Sequence, residues 1–131
     1  MARSKPAAAK APSQRQLKVG ETIRHALADI FFRGDIVDEV LSQYSLIVPE
    51  VRMTPDLKLA TAFIFPLGGQ GAEEAVEHLN KYKRFLRGEL AKRVRLKFMP
   101  DIRFKVDTSF ESSRRIDELL ASPKVARDLD D

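Results

Sequence analysis

Residues 79–106 are LNKYKRFLRGELAKRVRLKFMPDIRFKV, a helical pattern that leads directly into a strand pattern. The helical pattern extends from Ala72 to Lys97, and its apolar side chains recur with the period of an amphipathic helix: Leu79, Tyr82, Leu86, Leu90 and Val94. Pro100 ends the helical region, and beyond it apolar and charged residues alternate as in a half-buried strand. The apolar set of this strand is Ile102, Phe104 and Val106. The stretch therefore predicts an α+β domain.

The same helical pattern contains a conflict at Lys83, which falls within the apolar stripe beside Leu79 and Leu90. An unpaired ammonium group on that face is costly to bury. A bend or break between Tyr82 and Phe85 resolves the conflict by dividing the segment into two shorter helices. A single straight helix, with the Lys83 stem lying along the apolar surface and its charge in water, explains the pattern equally well.

The first half of the chain predicts a helix followed by a β-hairpin. Apolar residues follow helical spacing from Val19 to Phe31, and Gly34 is placed to cap the end of that helix. Two apolar and β-branched segments, Ser45 to Met53 and Leu57 to Phe65, are separated by residues with turn chemistry. A proline- and glycine-rich loop at residues 66–71 then separates the hairpin from the second helix.

The chain beyond the third strand predicts one more helix. Thr108 or Ser109 is suited to cap it, with Glu111 completing a capping box. Its apolar residues are Ile116, Leu119 and Leu120. The predicted element order is α-β-β-α-α-β-α.

Composition divides the chain into a folded domain and two tails. Residues 1–14 contain cations, alanines and prolines but no acid, so we expect a disordered basic arm. Residues 15–121 form the predicted domain, and residues 122–131 a flexible acidic tail. With 131 residues, of which 44% are apolar, the chain supports one small core.

Charge is distributed unevenly along the chain. Residues 81–105 hold ten cations and two anions, a balance of +8, whereas residues 35–77 hold eight acids and two bases, a balance of −6. Such a local positive field attracts a polyanion, which favours nucleic acid over an uncharged metabolite as the partner. The alternative is a solvated helix face with no ligand, the usual explanation of a charge run.

Several other functions have no support in the sequence. The absence of cysteine excludes disulfides and thiolate chemistry and fits a reducing compartment, so we expect a cytoplasmic protein with neither a secretory signal nor a membrane span. His25 and His78 lack acidic neighbours at metal-binding spacing, and no Gly-Lys-Ser or Gly-Lys-Thr follows the glycine-rich loop. Glu73 and Glu74 suit a helix N-terminus better than acid-base catalysis. We predict no enzymatic activity, metal, cofactor or small-molecule substrate.

The cations that the pattern places at or near the proposed helix break are the predicted RNA-binding residues, together with one on the first helix: Lys18, Lys81, Lys83, Arg84, Arg87, Lys92 and Arg95. Arg87 lies at the border of the apolar stripe, where bidentate RNA contact and a salt bridge to Asp101 or Asp107 are equally plausible. Three aromatic residues are candidates for stacking on unpaired bases, although core packing explains such residues more often: Tyr82, Phe85 and Phe98.

Residues 15–120 resemble the bacterial ribosome-binding factor A family. The resemblance begins with Arg15-x-x-x-Val19-x-Glu21-x-Ile23 and Leu27, and continues with Val51 and Asp56-Leu57-x-x-Ala60. Its most specific run is Phe85-Leu86-Arg87-x-x-Leu90-Ala91, then Leu96-Lys97-x-x-Pro100-Asp101-Ile102-x-Phe104-x-x-Asp107-x-Ser109-x-Glu111. Ile116 and Leu119-Leu120 complete it.

The resemblance implies a type-II KH-like fold, with two helices meeting at a kink and packing on a three-stranded mixed sheet. It also implies a factor, monomeric when free, that binds the immature small ribosomal subunit and its rRNA. Such factors assist late maturation, including processing of the rRNA 5′ end, and matter most in the cold. The family usually has Ala-x-Gly at the kink, where this chain has Tyr82, Lys83 and Arg84.

Two functional hypotheses follow. The first is a non-catalytic assembly factor that docks through the cations around the helix break, helped by the basic arm. The second is a protein-interaction module that recruits another factor through its sheet or through the acidic face at residues 35–50. Salt distinguishes the two hypotheses. Affinity for RNA phosphates falls steeply as the salt concentration rises, whereas the affinity of an apolar protein interface depends much less on salt.

Overall fold

Three helices and three strands form residues 11–109, the part of the chain that this computed structural model describes. In chain order they are α1 (Gln14–Arg33), β1 (Leu46–Met53), β2 (Leu59–Pro66), α2 (Ala72–Lys81), α3 (Lys83–Arg93) and β3 (Asp101–Val106). A short 3₁₀ turn, Leu41–Gln43, precedes β1. The predicted α+β class is confirmed, and most of the predicted last helix lies outside the described residues.

Helix α1 begins earlier than its apolar pattern predicted. The Ser13 hydroxyl accepts a hydrogen bond from the Gln16 N–H at 3.1 Å, and the Gln16 side chain accepts one from the Ser13 N–H at 2.8 Å. This capping box moves the start from Val19 to Gln14, so the end of the predicted basic arm belongs to the helix, while residues 1–10 lie outside the described part. Gly34, with φ of 70°, is the C-cap, as predicted.

The sheet has the order β1-β2-β3 and is mixed. β1 and β2 form the predicted antiparallel hairpin, and β2 pairs in parallel with β3 in a register that places Ala62 beside Phe104. In the hairpin turn, the Asp56 carboxylate accepts hydrogen bonds from the Thr54 hydroxyl at 2.6 Å and the Lys58 N–H at 3.0 Å. The pairing register shifts between Ile47 and Glu50, an irregularity that the sequence pattern did not predict.

The core lies between the three helices and one face of the sheet. The following residues are at most 4% exposed: Ile23, Leu27 and Ile30 of α1, Ala60, Ala62 and Ile64 of β2, Leu79 of α2, Leu86 and Leu90 of α3, and Ile102 and Phe104 of β3. α1 lies so close to β1 that a Cβ atom at Gly20 would be 2.5 Å from the carbonyl oxygen of Val51. Only glycine fits at this crossing.

The long helical segment is broken at Tyr82, and the alternative of one straight helix is wrong. The helix after the break, α3, also ends earlier than predicted, at Arg93 rather than Lys97. Val94 has an extended backbone, with φ −118° and ψ 151°, and is 8% exposed. The apolar residue that seemed to continue the helical stripe is therefore buried by a chain that has already left the helix.

Two side chains fix the third strand at its edge and its end. The Asn80 side chain of α2 accepts a hydrogen bond from the Phe104 N–H at 3.0 Å and donates one to its carbonyl at 3.2 Å, as a neighbouring strand would. After β3, the Asp107 carboxylate accepts from the Ser109 N–H at 2.8 Å. Thr108 and Ser109 are helical, so Asp107, rather than either of them, is the cap.

Candidate nucleic-acid interface

Tyr82 is the only residue between α2 and α3 and shapes the junction of the two helices. Its backbone, with φ −101° and ψ 11°, departs from helical geometry in a region that non-glycine residues can adopt. Its N–H donates to the Leu79 carbonyl, and its carbonyl accepts from the Leu86 N–H, both at 2.9 Å. The break therefore leaves the hydrogen bonding of Tyr82 intact.

Asp38 holds the junction from the segment that follows α1. Its carboxylate accepts a hydrogen bond from the Tyr82 hydroxyl at 2.8 Å and lies 3.4 Å from Nδ1 of His78. The backbone N–H groups of Val40 and Leu41 also donate to it, both at 2.9 Å. These donors, the Leu41 N–H first and the Tyr82 hydroxyl next, lower the pKa of Asp38 from 3.8 to about 2. The bond to Asp38 also raises the pKa of the Tyr82 hydroxyl.

Three of the predicted RNA-binding residues meet at this junction. Lys81 is the last residue of α2, and Lys83 and Arg84 are the first two of α3. All three are exposed, and none has an ion-pair partner among residues 11–109. The break removes Lys83 from the apolar stripe, so its ammonium group needs no buried partner. We call these three residues the junction cations.

Two further predicted residues lie at the other end of α3. Lys92 is nine residues beyond Lys83, which corresponds to about 13 Å along a helix axis, and its ammonium group is 3.1 Å from the Glu89 carboxylate. Arg95 lies beyond the last residue of α3 and is exposed. Lys92 and Arg95, which the sequence placed at or near the helix break, therefore lie at the opposite end of α3 from Lys81, Lys83 and Arg84.

Arg87 serves a structural purpose in the free protein. Its guanidinium donates to the carbonyls of Pro100 at 3.1 Å and Met99 at 2.9 Å, and it lies 3.6 Å from the Asp101 carboxylate. Of the two partners predicted from the sequence, Asp101 is the one in contact. Arg87 thus connects α3 to the segment that leads into β3, although its side chain remains 46% exposed.

Lys18 does not join the junction cations. It is exposed near the start of α1, whereas the junction is held by Asp38, which follows the C-terminal end of that helix. Its carbonyl accepts a hydrogen bond from the Thr22 hydroxyl at 2.9 Å. Lys18 is therefore a candidate for a separate contact.

Arg93 is a cation that the sequence pattern did not assign to the predicted site. Its guanidinium lies 2.7 Å from the Asp35 carboxylate, 3.0 Å from Glu89 and 3.7 Å from Asp29. These contacts join the C-terminal ends of α1 and α3 and raise the pKa of Arg93, mainly through the hydrogen bond to Glu89. The four-residue spacing from Glu89 was a usable signal, but the contacts with Asp29 and Asp35 arise only from the fold.

The acidic segment is largely engaged by neighbours within the protein. Asp35 binds Arg93 and Asp38 binds Tyr82, while the Glu50 carboxylate is 3.1 Å from Arg52. The Glu74 carboxylate accepts a hydrogen bond from the Tyr44 hydroxyl at 2.8 Å. This distribution gives little support to an acidic docking face.

Membrane and metal chemistry find no support in the part of the chain that the structure describes. None of its helices combines the length and apolarity required to cross a bilayer. Within residues 11–109, acidic and histidine side chains form no cluster of three that could coordinate a metal ion. The two histidines lie apart, His78 beside Asp38 and His25 beside Glu21 on α1.

The family model of ribosome-binding factor A matches residues 15–120, which include nearly all of the described residues 11–109. The chain belongs to the ribosome-binding factor A family. It is 56% identical over 120 residues to ribosome-binding factor A of Beijerinckia indica subsp. indica, an alignment that covers 92% of this chain and 85% of that protein.

Solved structures agree with this assignment. The solution NMR structure of a Thermotoga maritima protein aligns with a TM-score of 0.60 and 26% identity, covering 74% of this chain and 91% of that one. A homology model of ribosome-binding factor A of Thermus thermophilus, fitted into a cryo-EM map of a 30S complex, aligns with a TM-score of 0.56 and 23% identity, covering 68% of this chain and 91% of that one. The KH-like fold that the resemblance to ribosome-binding factor A implied is confirmed.

The kink is retained although this member of the ribosome-binding factor A family lacks Ala-x-Gly there. Tyr82, Lys83 and Arg84 occupy those positions, and Tyr82 makes the turn without a positive φ. Its hydroxyl bond to Asp38 supplies an anchor that a small residue has no atom to form. The other two positions of the motif, Lys83 and Arg84, are junction cations.

Proposed function

We propose that this protein is a non-catalytic, cytoplasmic assembly factor that binds the immature small ribosomal subunit by contacting phosphates of its rRNA at the junction of α2 and α3. The observation that carries the proposal is the set of junction cations, which are exposed, adjacent and without acidic partners in residues 11–109. The 30S complex of the Thermus thermophilus relative supports the choice of subunit.

The anchored junction favours binding to one RNA geometry. Asp38 connects Tyr82 to the segment after α1, and Asn80 connects the last turn of α2 to β3. Cations on such a rigid junction lose less conformational freedom on binding than cations on a loop. A factor of this kind favours one rRNA conformation by binding it more tightly than the alternatives, and it needs no reaction of its own to assist late maturation, including 5′-end processing.

The experiment that tests the proposal compares two triple variants of equal charge. One replaces Lys81, Lys83 and Arg84 with alanine. The matched control replaces three exposed cations elsewhere: Arg33, Arg52 and Lys105. Binding to precursor small subunits is measured between low and physiological salt by co-sedimentation, with large subunits and whole ribosomes as the comparison.

We expect the junction variant to bind weakly at low salt and to flatten the log–log salt slope by about 2–3, since each of three lost phosphate contacts removes about 0.7–0.9. The control variant should keep a slope close to that of the parent. Equal loss in both variants would mean that net charge rather than the junction drives binding. A parent protein with a shallow salt slope would favour the protein-interaction alternative.

A further inference from the structure

A groove of about 650 Å³ opens at the N-terminal end of α1, between that helix, the β1–β2 turn and the segment that joins α3 to β3. Its apolar floor includes Val19, Leu57 and Leu96, and its rim includes Arg15, Lys58 and Lys97. The volume lies within the range of about 300–1,000 Å³ that is typical of ligand pockets. None of the junction cations lines it.

Phe98 presents an aromatic ring at this groove. The residue is 76% exposed, whereas Phe85 is 46% exposed and Tyr82 is half-buried and bonded to Asp38. The Lys97 ammonium group lies 5.8 Å from the centroid of the Phe98 ring. Of the three aromatic residues considered for base stacking, Phe98 is therefore the most accessible and the one with a cation beside its ring.

The Phe98 segment is held in place from α3. Arg87 donates to the carbonyls of Met99 and Pro100, the two residues that follow Phe98. The segment thus has two backbone anchors directly after the exposed ring. This arrangement limits the freedom that the ring would lose on stacking.

The rim of the groove is electrostatically complementary to phosphate. Arg15, Lys58 and Lys97 form no ion pair within residues 11–109, although the charge of Lys58 acts on nearby Asp56. The two acids of the groove are engaged. Asp56 accepts hydrogen bonds from the hairpin turn, which lower its pKa, chiefly through the Thr54 hydroxyl. Asp101 lies 3.6 Å from Arg87. An apolar floor with an unpaired cationic rim suits a nucleobase flanked by phosphates.

We propose that this groove binds one unpaired RNA nucleotide, whose base stacks on Phe98 while flanking phosphates contact Lys97, Lys58 and Arg15. The proposal rests on the assembly-factor function and adds a second contact that selects single-stranded RNA. A paired base inside a duplex has no free face for the ring. The junction cations, in contrast, can contact the phosphates of both single-stranded and double-stranded RNA.

The test uses fluorescence anisotropy of a labelled single-stranded uridine octanucleotide and of a labelled RNA duplex of the same length. Phe98→Ala should weaken single-strand binding about 5- to 150-fold, the range expected for loss of one stacked base, and change duplex binding less than about twofold. Phe32→Ala is the matched control, because Phe32 is 91% exposed and does not line the groove. It should leave both affinities unchanged.

A second variant reports on the site directly. The chain contains no tryptophan, so Phe98→Trp introduces a single indole into the groove. We expect single-stranded RNA to quench its fluorescence and the duplex to leave it nearly unchanged. Circular dichroism checks that each variant is folded.

Two outcomes overturn the inference. One is a Phe98→Ala variant that binds the single strand as the parent does, and the other is an equal loss for single strand and duplex. If the parent still binds small subunits with a steep salt slope, only the groove proposal fails. If the parent binds neither RNA nor subunits, the assembly-factor function fails as well.

Discussion

At the scale of single residues, the cations of one helix have different roles. Arg87 and Arg93 are bound by groups within the domain, whereas Lys83 and Arg84 have no acidic partner there. All four belong to the same helix, α3. Their different uses follow from which element each side chain faces, so substitutions among them should separate stability from binding.

Arg87→Lys tests the structural assignment of Arg87. Lysine keeps the charge but lacks the planar fork that reaches two carbonyls at once. We expect the free energy of unfolding to fall by about 1–2 kcal/mol, less than two buried hydrogen bonds to a charged group would give because the side chain is partly exposed. Urea denaturation measures this loss. Subunit binding at a temperature where the variant is folded should fall much less than in the junction variant, because Arg87 only positions the Phe98 segment; a loss as large as that of the junction variant would assign Arg87 to the interface.

Two glycine-to-alanine changes should have opposite effects on the stability of the fold. At Gly20, the added Cβ meets the Val51 carbonyl oxygen at 2.5 Å, so α1 must move from β1, at a cost of about 1–3 kcal/mol. At Gly88, within α3, nothing lies within 4 Å, and alanine should stabilise the helix by about 0.5–1 kcal/mol. Thermal unfolding of both variants provides the comparison. A stabilised Gly20→Ala variant would contradict the close helix–strand crossing.

At the scale of elements, the junction of α2 and α3 depends on a contact far away in sequence. Asp38 lies 44 residues before Tyr82 and binds its hydroxyl. The conflict at Lys83 indicated where the helix could break, but helical periodicity could not identify the residue that stabilises the break. The junction is therefore a local pattern stabilised by a tertiary contact.

Asp38→Asn should reveal this contact through its pH dependence. Because folding lowers the pKa of Asp38 from 3.8 to about 2, ionised Asp38 stabilises the fold above pH 3.8, and this stabilisation is lost as the pH falls towards 2. We expect the variant to be less stable than the parent at pH 6 and the difference to shrink steadily between about pH 4 and 2. Guanidinium denaturation at several pH values measures it. A difference independent of pH would contradict the assignment.

At the scale of the whole molecule, many of the acidic side chains are paired within the domain, whereas two groups of cations are exposed. Asp29, Asp35 and Glu89 converge on Arg93, and Asp38 is bonded to the junction. The junction cations and the rim of the groove have no such partners in the described residues. Folding thus masks much of the acidic segment and leaves two cationic surfaces for a polyanion.

Reversing exposed acids on α2 should therefore not weaken RNA binding. Glu73 and Glu77 on α2 are exposed and have no ion-pair partner among residues 11–109. We expect Glu73→Lys with Glu77→Lys to keep or raise the affinity for RNA at low salt, since both changes add to the positive field. Glu74 is left unchanged because it accepts the Tyr44 hydroxyl bond. A large loss of affinity in the folded variant would show that α2 carries the binding face.

The sequence by itself determined the fold class and the order of the described helices and strands, and it marked Lys83 as the place where a helix break was one of two explanations. Alternation at Ile102, Phe104 and Val106 and the misplaced Lys83 are local signals, because a side chain's face follows directly from strand or helix periodicity. The charge balance is likewise a property of the chain that no fold alters.

Only the tertiary structure decided which side chains meet. Asp38 with Tyr82, Arg93 with Asp35 and Asn80 with Phe104 are separated by 24 to 58 residues, and periodicity carries no information on such pairs. The early end of α3 was missed for the same reason, since Val94 fits a helical stripe and is buried without one. Contacts of this kind depend on how elements pack, and they separate the exposed cations from those that hold the domain together.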